Sequence, residues 1–222
     1  MKKLITFLLI VLSLEGYSQE DSIYHYYKEI TKDLWVWDNN TNDWVPDTTQ
    51  QWKWNKDVYI YLYGEKIDFL IKELEIVVKE LNDLIDPINI YITTDSSTAN
   101  CKLFIGNGKE YEHHNLQYHN LIENGGTKPY GFASILGNLK EICISLCFVD
   151  IVYLKEQGVN NKWSNSRLEK EMRCTLREEI TQSLGFVNDS YSYPMSIFQE
   201  SKYIPITEFA DIDKEIIKRL YN

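Results

Sequence analysis

The chain lacks most of the short signatures that mark an enzyme class. It has no G-x-S-x-G elbow and no P-loop, which argues against serine-hydrolase and phosphate-cradle chemistry. Gly106-Asn107-Gly108 is too short to hold a phosphate and reads as a turn. There are only four cysteines, Cys101, Cys143, Cys147 and Cys174, and no C-x-x-C pair. That spacing argues against a zinc knuckle or a thioredoxin-type site. No apolar run reaches the ~20 residues that a membrane-spanning helix needs. Positive charge is scarce, with 23 Lys and Arg against 33 Asp and Glu and a net charge of −10. Nucleic acid and anionic membrane are therefore poor partners. Carboxylates are plentiful, so a glycosidase-like pair stays open, but sequence alone does not place one.

What is present starts with a compartment signal. Lys2 and Lys3 precede an apolar run from Leu4 to Leu14, and Gly16-Tyr17-Ser18 follows. This pattern predicts a secretory signal peptide over residues 1–18, cleaved near Ser18–Gln19. No membrane span is expected after cleavage, and the mature protein is expected in the periplasm or outside the cell. Residues 19–50 read as an N-terminal extension. There, Asp38 to Asp43 is turn chemistry between Leu34–Trp37 and Trp44-Val45, consistent with a small hairpin. Residues 51–222 read as one domain, long enough to bury a proper core.

Within that domain the periodicities predict an α+β fold. Val58 to Tyr63, Ile88 to Thr93, Lys102 to Ile105 and Glu141 to Ile151 read as strands. Lys66 to Leu84 reads as an amphipathic helix, with Ile67, Leu70, Ile71, Leu74, Val77, Val78 and Leu81 at three- and four-residue spacing. A second helix opens on a capping box of Ser166 and Glu169. It carries Leu168, Met172, Leu176, Ile180 and Leu184 in one row, and Gly185 closes it. Thr207 to Tyr221 reads as a last helix. Residues 106–130 and 156–165 read as polar loops, the first long enough to suggest function.

The second helix carries the most specific motif. Residues 178–188 read Glu-Glu-Ile-Thr-Gln-Ser-Leu-Gly-Phe-Val-Asn. This resembles the H-E-x-x-H-x-x-G-x-x-H frame of the metzincin zinc peptidases with its histidines replaced. On that frame Glu178, Gln182 and Asn188 take the ligand positions, Glu179 takes the catalytic glutamate position, and Gly185 takes the turn. Downstream, Tyr193-Pro194-Met195-Ser196-Ile197-Phe198 lies where the resemblance places a Met-bearing turn; Met195 and Ile197 both fit its Met position. With Cys174, Asp189 and a closing Leu220-Tyr221, the pattern is also similar to an exported bacterial family of unknown function. That family is grouped with the zincin-like peptidases.

The resemblance implies a twisted, mostly parallel sheet packed on two long helices, then a Met-turn-like loop and a C-terminal helix. The residue types argue against the implied zinc. Amide oxygens hold that borderline-soft ion poorly, while a carboxylate with two amides suits a hard cation such as calcium better. No cofactor or metal site is assigned, and a hard cation is the alternative. Glu179 without a metal cannot deprotonate water whose pKa stays near bulk. Asp189 either caps a turn or binds back to the Gln182 amide. His113, His114 and His119 read as solvated loop residues, with a structural ion as the alternative. The functional expectation is a non-catalytic module that binds a peptide or protein in the cell envelope. Strand addition at Ile142–Phe148, taken as an edge strand, is the expected mode. The alternative is an atypical metallopeptidase-like hydrolase using Glu179. A disulfide from Cys174 to Cys143 or Cys147 is also expected, because the strand carrying those two should border the motif helix.

Overall fold

The computed structural model describes residues 22–31, 34–38, 43–47, 51–138, 141–200 and 204–222. The predicted signal peptide lies outside them. Helix α1 spans residues 22–31. Strands β1 (Leu34–Asp38) and β2 (Asp43–Asp47) then form the expected antiparallel hairpin, with Leu34 opposite Asp47. The remaining elements are β3 (Val58–Gly64), α2 (Asp68–Asn82), β4 (Ile90–Thr93), β5 (Cys101–Gly106), α3 (Gly108–Tyr111), α4 (Leu116–Glu123) and β6 (Gly131–Asn138). They continue with β7 (Glu141–Asp150), α5 (Ile151–Asn160), α6 (Asn165–Gln182) and α7 (Asp211–Tyr221). Among the described residues no helix is long and apolar enough to cross a membrane.

Five strands form one sheet in the order β4-β3-β5-β7-β6. All pairs are parallel except β6 on β7; the domain mixes helices and strands around the mostly parallel sheet that was expected within an α+β fold. One face carries Val58, Ile60, Ile90, Leu103, Ile105, Cys147 and Val149 into a core shared with α2, α6 and α7. The apolar rows of α2 (Leu70, Leu74, Val77, Leu81) and α6 (Met172, Leu176, Ile180) are buried there, as spacing at three and four dictates. Tyr26, Tyr27 and Ile30 of α1 belong to the same core. The opposite face holds a small aromatic cluster of Phe104, Tyr111, Tyr118 and Phe148, covered by α3 and α4. Those two helices occupy the stretch that reads as a long polar loop in the sequence. Asn107 and Asn115 nucleate them by accepting backbone N–H groups at their starts.

Several expectations are corrected. Strand Ile142–Phe148 is not an edge; β7 lies between β5 and β6, and β6 is the edge on that side of the sheet. Helix α6 starts two residues earlier than the Ser166 box implies. Ser164 is its cap, accepting Arg167 N at 3.2 Å, while Glu169 is drawn away by the Arg173 guanidinium at 2.7 Å. The first half of residues 156–165 is helix, since α5 runs to Asn160, and only residues 161–164 join it to α6.

The expected disulfide is also absent, because none of the four cysteines is bridged. Strand β7 does border α6, but the helix sets the backbone of Glu179 over Cys147, whose Sγ approaches Glu179 O at 3.5 Å. Cys174 therefore sits more than one turn away from that thiol. Cys147 instead meets Cys101 of the neighbouring strand. Its hydrogen bond with Cys101, together with burial, pushes the Cys147 thiol well above the ordinary range. Alkylation of the protein in denaturant without reductant should therefore label all four cysteines, by intact mass. Labelling of only two would reveal a bridge.

The C-terminal end of α6 is unusually well tied. Its last carbonyls need partners from outside the helix. The Trp54 indole N–H donates to Ser183 O at 2.9 Å, and the Tyr221 hydroxyl donates to Leu184 O at 2.7 Å. Gly185 then turns the chain at φ +117°, against the carbonyl of Trp52. Both ends of the domain thus fix the point where the motif helix stops.

Candidate functional site

A cleft of about 510 Å³ opens between the polar face of α6 and the start of β6. Its floor is Thr175, Glu178, Glu179 and Gln182, its wall is Tyr130 to Ala133, and Trp163 and Leu121 stand at its rim. Glu178 and Gln182 are one turn apart and share a face, so a single helix supplies the floor. Glu179 presses against the edge strand. A Cβ at Gly131 would lie 2.4 Å from Glu179 Oε1 and 2.6 Å from Thr175 Cγ2. Only a residue without a side chain lets β6 pass this close to the helix. On its other side β6 has no partner strand among the described residues.

The sequence motif is only partly gathered at this place. Glu178, Glu179, Gln182 and Asp189 all line the cleft. The Gln182 amide donates to Asp189 Oδ1 at 2.8 Å, the second of the two roles read for Asp189. Asn188 turns away: its N–H and its side-chain amide donate to the carbonyls of Ile30 and Glu29 in α1, at 3.2 Å and 3.3 Å. The three ligand positions of the frame therefore offer one carboxylate, one amide bound to Asp189 and one amide bound to α1. This donor set does not fit a zinc ion. Among the described residues, no group of three or more His, Cys, Asp or Glu is placed to hold a metal. The loop histidines do not converge. His114 packs beside the Phe104 and Tyr63 rings, and His119 lies between Glu112 and Glu123.

Below the cleft lies the Met-turn-like segment. Met195 is 64% exposed, whereas Ser196, Ile197 and Phe198 are fully buried. The structure thus places Ile197, not Met195, at the inward position. Phe198 packs on Phe186, just past Gly185, with ring centroids 5.4 Å apart. The 190–200 segment closes on itself through Ser190 N to Phe198 O at 2.7 Å. It delivers Gln199 and Glu200 to the cleft.

Five carboxylates line the cleft (Glu171, Glu178, Glu179, Asp189 and Glu200), and Glu171 is paired with Arg167 of the same helix at 2.7 Å. Sequence reasoning missed the whole β6 wall. Gly131 to Gly137 is a short apolar run bounded by glycines, a weak strand signal that could have been read.

The fold and cleft define a mixed α/β domain whose one long helix faces an open antiparallel edge strand. By sequence the chain belongs to the family described as "Protein of unknown function (DUF2927)", whose model matches residues 26–222. A comparison with curated proteins gives no match. Two solved structures of myroilysin are similar to the chain at 12% and 13% identity, each with a TM-score of 0.45. They cover 78% of this chain and 86% and 82% of their own. So slight a likeness supports no statement about chemistry.

Proposed function

We propose that the protein is an exported, zincin-like module that binds an extended peptide in the cleft without cleaving it. The observation that carries this reading is the contact of Gly131 with Glu179, which sets an open strand edge beside a polar helix floor. An extended segment added to β6 would gain main-chain hydrogen bonds from the edge and lay its side chains over α6. The absence of a zinc-competent donor set supports binding over hydrolysis. Export rests on the reading of residues 1–18 as a signal peptide.

Fluorescence anisotropy with labelled extended peptides tests the reading. Peptides able to extend should bind, and a proline-interrupted peptide of equal length, which lacks main-chain N–H donors, should not. Gly131→Ala adds a methyl between the strand and the Glu179 carboxylate, and should weaken binding about tenfold or more, a loss of ~1.4 kcal/mol. Mass spectrometry should recover the peptide intact. Peptide cleavage abolished by the near-isosteric Glu179→Gln would overturn this reading in favour of a hydrolase. Equal binding by the wild type and Gly131→Ala would show that the edge is not used.

A further inference from the structure

Behind the cleft, three buried side chains form a hydrogen-bonded line that ends on a carboxylate. Asp213 of α7 is fully buried. Its Oδ2 accepts Ala210 N at 2.9 Å, which caps α7, and Ile197 N at 3.2 Å. Its Oδ1 is 2.5 Å from Ser196 Oγ. Ser196 Oγ in turn accepts Phe198 N at 3.0 Å and touches the Tyr26 hydroxyl of α1. With Asp213 ionised the directions are forced. Ser196 must donate to the carboxylate, so Tyr26 must donate to Ser196.

A proton on Asp213 changes that. Oδ2 is already committed to two N–H donors, so the proton belongs on Oδ1 and is donated to Ser196. The Ser196 hydroxyl then turns to Tyr26, and the Tyr26 O–H loses its acceptor. Burial opposes the charge and the three donors favour it, with Arg177 of α6 helping them. The Asp213 carboxyl is pushed up to about 6, chiefly by burial. Glu29 of α1 and Asp189 beyond α6 bear on the Tyr26 end, where burial holds the phenol protonated.

Tyr26 matters beyond its own bond, because α1 holds the segment that enters the cleft. Ile30 O accepts Val187 N at 2.9 Å and Asn188 N at 3.2 Å, and Glu29 Oε2 accepts Ser192 Oγ at 2.7 Å. We propose that the Tyr26–Ser196–Asp213 line is a proton-operated pin that resets the seating of α1 on residues 187–192 beside the cleft. The device belongs to the scaffold and does not depend on what the cleft binds.

The folded-state value lies above the unfolded one near ~4. The Asp213 contribution to stability is therefore complete below about pH 4 and lost as the pH rises through about 6. Asp213→Asn should flatten that part of the melting-temperature profile.

Amide NMR shifts of the mature protein, followed from about pH 4 to 8, test the pin itself. Val187 and Asn188 should titrate with a single-proton midpoint near 6 in the wild type and stay flat in Asp213→Asn. In Tyr26→Phe the amides of Ile197 and Ala210 should still titrate, while Val187 and Asn188 should not. Wild-type protein in which Ile197 and Ala210 titrate without Val187 and Asn188 would overturn the proposal. Titration of Val187 and Asn188 that persists in Tyr26→Phe would do the same, and this arm stands even if Asp213→Asn does not fold.

Discussion

Arg177→Ala should destabilise the domain by about 3 kcal/mol, toward the low end of the ~3–5 kcal/mol range for breaking a buried ion pair. At ~2–4 °C per kcal/mol for a chain of this size, the melting temperature should fall by roughly 6–12 °C. Arg177 is 1% exposed and joins α6 to α2. Its guanidinium donates to Glu73 Oε1 at 2.8 Å and to Glu80, and lies 4.7 Å from the Phe209 ring centroid. Alanine removes the charge and leaves a cavity under Phe209. The low end is expected because Glu73 keeps Arg173 at 2.9 Å. Glu80→Ala should cost far less, since that carboxylate is 39% exposed and exposed pairs contribute ~0–1 kcal/mol. Thermal melts of the two variants check both statements. A drop for Arg177→Ala no larger than that for Glu80→Ala would mean that the ladder between the helices does not hold them.

Gly185→Val should be worse, costing more than ~3 kcal/mol and leaving little soluble protein. Two separate insults coincide there. The backbone sits at φ +117°, a region that costs a non-glycine residue of order 1–3 kcal/mol. A Cβ would also stand 2.1 Å from Trp52 O, and that oxygen is backbone and cannot step aside cheaply. Gly125 separates the two effects. It has φ +76° with nothing within 4 Å of its missing Cβ, so Gly125→Ala carries strain without collision. The melting-temperature drop should be several times larger at Gly185 than at Gly125. Equal losses would show that the approach of Trp52 is relaxed easily.

The motif helix, the long α2 helix and the parallel strands were legible because their apolar spacing is regular. Leu70, Leu74 and Val77, or Met172, Leu176 and Ile180, each mark a buried stripe. Alternation along β7 does not tell an edge strand from an interior one, and its inward face is the less apolar of the two. Cys147 and Ser145 are fully buried, whereas Ile144 on the outer face is 45% exposed. Helices α3 and α4 were hidden because Tyr111 and Tyr118 are their buried anchors in a stretch otherwise full of polar residues. At the site, the floor was legible and the wall was not. Glu178, Glu179 and Gln182 follow from one helix, but the approach of Gly131 is a tertiary fact without local signal. Asn188 was assigned by frame position, and only the docking of α1 shows where its amide goes.

The placement of α1 also bears on how the chain reaches its native state. Tyr26 finds Ser196 170 residues later, and Ser22 finds Tyr193 171 residues later. Trp54 waits 129 residues for the carbonyl of Ser183. Contacts of such high sequence separation are costly to close and slow folding. During synthesis the first helix must wait until nearly the whole chain has emerged before its apolar side has a home. Burial of α1 is therefore tied to the last segments to arrive, and the domain closes over its first helix late.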